Sequence, residues 1–265
     1  MEEVFIAALP TGLATGLGAL PVLFSRPLPR RAYDGVLGLG AGLMLAAATL
    51  GLLREALEGV RTEAGLDYLQ LLLISTGFLS GVVVAVAMDR LIPHGHARGH
   101  HLHIHDEHGH EHGRGRPQES RRVYLVLGAI SIHRLPEGLA IGAGFAVADG
   151  RLGWLLSAAV ALQNICEGMV MGAPLRLGGL PPTRALLLVS SSGLMVPLGA
   201  LVGYLLSGLA LAALPFILAL AAGTLIYVTS NEIIPESHSH GHEGTASGGL
   251  IAGFLLTMLL GALIR

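Results

Sequence analysis

The 265-residue chain contains no lysine, one cysteine and one tryptophan, and its charged residues make up only 13% of the whole. A soluble domain of ordinary composition carries about a quarter charged residues, so too little polar surface is present to cover a water-soluble fold of this size. Arginine is the only strong base, with 16 residues against 18 acids, and a formal charge of −2 excludes a nucleic-acid surface. The lone Cys166 excludes a disulfide framework and a multi-cysteine zinc motif. What is present instead is 52% apolar residues and 13 histidines, with a mean hydropathy of +0.66. This is the composition of an all-α integral membrane protein with lipid around it.

A hydrocarbon core about 30 Å thick needs roughly 20 apolar residues per helical span. Eight such runs are read here, at about 4–25, 35–53, 68–88, 123–147, 153–175, 185–207, 210–230 and 248–264. The acidic start Met1-Glu2-Glu3 lacks the basic region of a signal peptide, so the first span is expected to be retained. Gly38 and Gly42 share one helix face in the second span, a spacing that suits close backbone approach. Basic residues near span ends stay on the cytoplasmic side. With the loops numbered alternately, eleven arginines fall on one side and four on the other, which places both termini outside. The expectation is one transmembrane domain over 1–265, multi-pass in the cell (inner) membrane, with a homodimer as a compatible assembly.

Two segments break the apolar pattern. The stretch 94–122 holds nine histidines interleaved with Gly and acidic residues and cannot bury a core. A shorter segment, 237–247, holds His238, His240 and His242. Both fall on the cytoplasmic side, and neutral imidazole ligates zinc, copper, nickel and iron. Capture of a divalent metal cation is the expected role, against that of a plain solvated linker.

The thirteenth histidine, His133, lies in the fourth span within Ile132-His133-Arg134-Leu135-Pro136-Glu137-Gly138. The fifth span repeats the pattern as Leu162-Gln163-Asn164-Ile165-Cys166-Glu167-Gly168. In each motif the first polar residue and the Glu are four apart and project from one helix face. The motif centres, Leu135 and Ile165, each stand 15 residues from Gly150, the expected turn. A helical hairpin folded there puts both about 22 Å from the turn at 1.5 Å per residue. His133, Glu137, Gln163 and Glu167 then surround one point inside the membrane. Ionisable groups at such depth serve a polar pathway or a partner, and this donor set suits a borderline divalent cation. Arg134 is expected to balance charge, reaching Glu167 across the hairpin, and Pro136 frees the carbonyl of Ile132.

These paired motifs in spans four and five, with the His-rich loop between spans three and four, resemble the ZIP (Zrt/Irt-like) metal transporters, in particular their bacterial branch. Further matching stretches are Met44–Ala48, Asp89–His94, Gly193–Ala200 and Glu232–His238. The resemblance implies uptake of zinc (Zn2+) or a similar divalent metal into the cytoplasm by alternating access. It also implies a primary site formed by His133, Glu137, Gln163 and Glu167. The family's second site corresponds here to Arg134, Asn164 and Val196, and Cys166 stands where the family has proline.

Asp89, His94, Asn231, Glu232, Glu236 and His238 cluster in sequence at the inner ends of spans three and seven, as a secondary or relay site. Glu55 and Glu58 end the second span on the outer side, where they attract cations or simply face water. An enzymatic role is not expected, because the HExxH pattern of a membrane metallohydrolase is absent. A sensor or storage protein that binds metal without flux is the alternative to transport.

Overall fold

In hydrocarbon a backbone must satisfy its own hydrogen bonds, so long lipid-exposed apolar runs fold as helices. The computed structural model describes residues 1–24, 29–58, 60–62, 65–91, 131, 134–147, 150–177, 180–209 and 213–264. Seven helices among the described residues are long and apolar enough to cross a membrane. Helix α1 is Glu2–Phe24. Helix α2 starts at Arg30–Ala46 and runs through a π-helical stretch, Ala47–Leu53, into the turn Arg54–Leu57. A two-stranded antiparallel ladder, β1 (Arg61–Thr62) with β2 (Gly65–Leu66), leads to α3, Tyr68–Leu91. Residues 134–146 are helical and form α4; the rest of the expected span 123–147 lies mostly outside the described residues, as does the His-rich stretch 94–122. Helix α5 is Arg151–Leu177. Helix α6 comprises Pro182–Ser192 and Met195–Leu209, with a break at 193–194. Helix α7 comprises Leu214–Val228, a second π-helical stretch Thr229–Ile233 and the turn Ile234–Ser237. Helix α8 is Glu243–Ile264.

Helix α8 therefore begins five residues before the apolar run at 248, and the short His-rich segment is a turn only as far as His242. The backbone N–H groups of Thr245 and Ala246 donate to the His242 carbonyl at 2.9 and 3.1 Å, closing the first helical turn over small polar residues. Gly241, at φ +82°, permits the preceding chain reversal.

Helices pair through glycine. A Cβ on Gly42 would collide with the Leu250 carbonyl, so α2 and α8 lie backbone to backbone along the face that carries Gly38 and Gly42. Gly168 on α5 meets the Thr15 carbonyl of α1 in the same way. Similar contacts join α3 to α7 at Gly81 and α4 to α6 at Gly142. The interior is made largely of alanine with Ile141, Leu156, Val160 and Leu218. The outer faces of α3 and α8 carry exposed Leu72, Leu79, Val83, Leu255, Leu259 and Leu263, a surface suited to lipid.

The expected α4–α5 turn is found. Gly150 has φ +66°, donates to the Val147 carbonyl at 3.0 Å and accepts from the Trp154 N–H at 3.2 Å. Phe145 and Trp154 meet edge to face across it, 5.5 Å apart. At the other end of the bundle the start of α2, the end of α7 and the start of α8 come together, since Asp34 contacts His240 and His242. The ends of α3 and α7 meet through Asp89 and Asn231.

Candidate metal centre

The hairpin turn sets the register of two helix faces. From α4 come Arg134 and Glu137, exposed by only 1% and 2%, and from α5 come Gln163 and Asn164, at 1% and 0%. Glu167, one turn beyond Gln163, is 18% exposed at its side chain. Gln163 Nε2 donates to Glu137 Oε1 at 2.9 Å and to Glu167 Oε1 at 2.8 Å, so one amide joins the two carboxylates across the hairpin. The other oxygen of Glu137, Oε2, is buried and has no hydrogen-bond partner among the described residues. An orphaned carboxylate oxygen at this depth is costly and leaves an open valence for a cation.

Arg134 turns toward α1 and α5. Its Nη2 donates to Glu167 Oε2 at 2.8 Å and contacts Met171 Sδ at 3.6 Å. Its Nη1 donates to Thr15 Oγ1 at 2.6 Å and to Asn164 Oδ1 at 2.7 Å. Asn164 is itself fixed, because its Nδ2 donates to the Thr11 carbonyl at 2.8 Å. The amide oxygen is thereby committed to the guanidinium. Val196, also fully buried, offers no oxygen.

His133 and Ile132 lie outside the described residues, and so does His94. Among the described residues no three His, Cys, Asp or Glu side chains converge as a metal-holding group. The two carboxylates are separated by an amide, and the imidazole expected between them falls on an undescribed position. The structure thus brings together Glu137, Gln163 and Glu167, with Arg134 and Asn164 beside them.

The relay residues are distributed more widely. Asn231 Nδ2 donates to Asp89 Oδ2 at 3.3 Å, linking α7 to α3. Glu232 is half-buried on the π-helical stretch, and Glu236 is exposed. His238 is engaged locally: Nδ1 lies 2.9 Å from both Ser237 Oγ and the Ile234 carbonyl, and Nε2 lies 3.1 Å from Ser247 Oγ. At the opposite end Glu58 is exposed and 3.9 Å from Arg54, while Glu55 is half-buried.

Three polar residues escape a reading of the sequence. Thr11 and Thr15 on α1 look like ordinary small residues of an apolar span, yet the Thr15 hydroxyl accepts from Arg134 and the Thr11 backbone carbonyl accepts from Asn164. Asp34 is fully buried, with Oδ1 2.8 Å from His240 Nδ1 and Oδ2 3.0 Å from His242 Nδ1. An isolated Asp near the start of an apolar span was the available signal.

Membrane-length helices around a largely buried cluster of two carboxylates, two amides and a guanidinium define a multi-pass integral membrane protein with a charged interior. The family model of ZIP zinc transporters matches residues 3–264, and the chain belongs to this family. It is 43% identical to the zinc transporter ZIPB of Bordetella bronchiseptica over 250 residues, which cover 93% of this chain and 76% of that one. It is 38% identical to the zinc transporter GufA of Myxococcus xanthus over 261 residues, 98% of each chain. Its identity to the human zinc transporter ZIP11 is 29%, over 98% of this chain and 97% of that one.

Proposed function

We propose that the protein carries zinc or a similar divalent cation across the cell (inner) membrane into the cytoplasm, with both termini outside. The cargo binds inside the membrane through His133, Glu137, Gln163 and Glu167. The observation that carries this reading is a buried carboxylate, Glu137, joined through Gln163 to the partly buried carboxylate of Glu167, with one Glu137 oxygen unpartnered among the described residues. Membership of a zinc-transporter family and the names of its relatives support the choice of zinc.

A single cargo ion occupies the site. Glu137 and Glu167 contribute −2 and Arg134 contributes +1, so one divalent ion brings the cluster to +1 and a second would bring it to +3 in a low-dielectric setting. The guanidinium lies against Glu167 and Asn164, and Val196 adds no ligand. Glu55 and Glu58 stand at the outer mouth. Asp89, His94, Asn231, Glu232, Glu236 and His238 form a weaker relay toward the His-rich loop.

The test is zinc uptake by the purified protein in vesicles. Glu137→Ala and Glu167→Ala should each abolish it, because either change removes charge that offsets the ion's dehydration. Wild-type rates in either variant would remove the site from the pathway. Binding without flux in the unaltered protein would make it a sensor or store.

A further inference from the structure

Arg134 is the largest fully buried side chain among the described residues, and its two terminal nitrogens have different kinds of partner. Among the described residues Nη1 donates only to neutral oxygens, Thr15 Oγ1 on α1 and Asn164 Oδ1 on α5. Nη2 donates to the charged Glu167 and touches the Met171 sulfur. The neutral anchors do not depend on Glu167: the Asn164 amide is pinned by the Thr11 carbonyl, and Thr15 Oγ1 donates its own proton to the Gly12 carbonyl at 3.0 Å, leaving lone pairs for the guanidinium. Arg134 therefore stays anchored when its carboxylate partner is engaged elsewhere. Glu167, in turn, faces two cations that want the same oxygens, the tethered guanidinium and the cargo.

We propose that Arg134 is an internal counter-ion that alternates with the cargo, neutralising Glu167 while the site is empty and yielding it to the metal while Thr15 and Asn164 keep the guanidinium in place. This rests on Glu137 and Glu167 forming the transport site. The physical need is on the empty half of the cycle. A carrier that has released its ion must return with its carboxylates still inside a low-dielectric barrier, and a bare carboxylate there is strongly disfavoured. Arginine remains protonated under any ordinary condition, so it supplies the charge that compensates Glu167, one of the two carboxylates, without a proton from either side. Return of the empty carrier then depends on Arg134, whereas movement of the loaded carrier does not. Because guanidinium and metal compete for Glu167, Arg134 also weakens cargo binding.

The experiment compares two fluxes of the full-length protein in vesicles: net zinc uptake into zinc-free vesicles, and exchange of labelled zinc into vesicles preloaded with unlabelled zinc. Calorimetric zinc binding in detergent accompanies both. In Arg134→Met the ratio of net uptake to exchange should fall by about tenfold or more, and zinc should bind more tightly. Arg134→Lys, which retains a cation, should recover part of that ratio. Equal loss of the two fluxes, an unchanged ratio, or weaker zinc binding in Arg134→Met would overturn the proposal. If Arg134→Met does not fold, Thr15→Val decides, since it removes an anchor the guanidinium needs when the metal takes Glu167 and leaves the empty-state ion pair intact: weaker zinc binding with the flux ratio kept supports the proposal, and unchanged or tighter zinc binding, or a lost ratio, overturns it. Failure of the underlying site looks different, as wild-type uptake in Glu137→Ala and Glu167→Ala.

Discussion

The guanidinium of Arg134 and the carboxylate of Glu167 lie 2.8 Å apart across the α4–α5 hairpin, 33 residues apart in sequence. The arginine is 1% exposed and the glutamate 18%. A buried ion pair is weak evidence for stability, because desolvation offsets much of the Coulomb attraction. Removing one partner is costly all the same, since it strands the other charge. Among the described residues Glu137 has no such partner on its second oxygen, and the two carboxylates should therefore behave differently in the folded protein even though both are proposed to hold the cargo.

Glu167→Ala should lower stability by about 3 kcal/mol or more, because it leaves a buried guanidinium with neutral partners only. Glu137→Ala should cost much less, since Gln163 keeps Glu167 as an acceptor and an orphaned oxygen is removed. Thermal unfolding in detergent checks the order. A larger loss in Glu137→Ala would mean that the charge pairing has been misassigned.

Gly168→Val should separate α1 from α5. The added side chain meets the Thr15 carbonyl, which is backbone and cannot rotate away. Overpacking of this kind costs about 1–3 kcal/mol, and the shift also carries Thr15 away from Arg134. The expected readouts are a lower melting temperature and reduced uptake; a variant equal to the wild type in both would show that the helices need not touch here.

Asp34→Ala should free the turn before α8. Two imidazole N–H groups lose their charged acceptor, each such bond being worth about 1.5–3 kcal/mol, and hydrogen exchange at residues 238–242 should accelerate. Unchanged exchange would show that α8 holds the turn without Asp34.

Deleting residues 95–115 should leave substantial uptake and reduce the number of zinc ions bound per chain. A composition this polar and His-rich is expected to capture metal without forming the pathway. Complete loss of uptake in a correctly inserted protein would place the loop on the pathway itself.

The membrane-spanning character and the α4–α5 hairpin were legible because both rest on local quantities, apolar run length and the 15-residue spacing of Leu135 and Ile165 from Gly150. The same spacing anticipates that Arg134 meets Glu167. Helix starts were less legible. Arg30 and Glu243 open their helices several residues before the apolar runs at 35 and 248, because small and polar residues hold helix geometry without adding to hydropathy. Thr15, Thr11 and Asp34 were invisible for a different reason. Thr15 is 119 residues from Arg134, and Asp34 is 206 from His240, so only the glycine-mediated pairing of helices shows what each one faces.

Anomalous diffraction from zinc-soaked crystals tests the central claim most directly. One intramembrane zinc peak bounded by Glu137, Gln163 and Glu167, with the Arg134 guanidinium beside it, is the expected result. Two adjacent peaks between α4 and α5, or none there under conditions that support uptake, would contradict it.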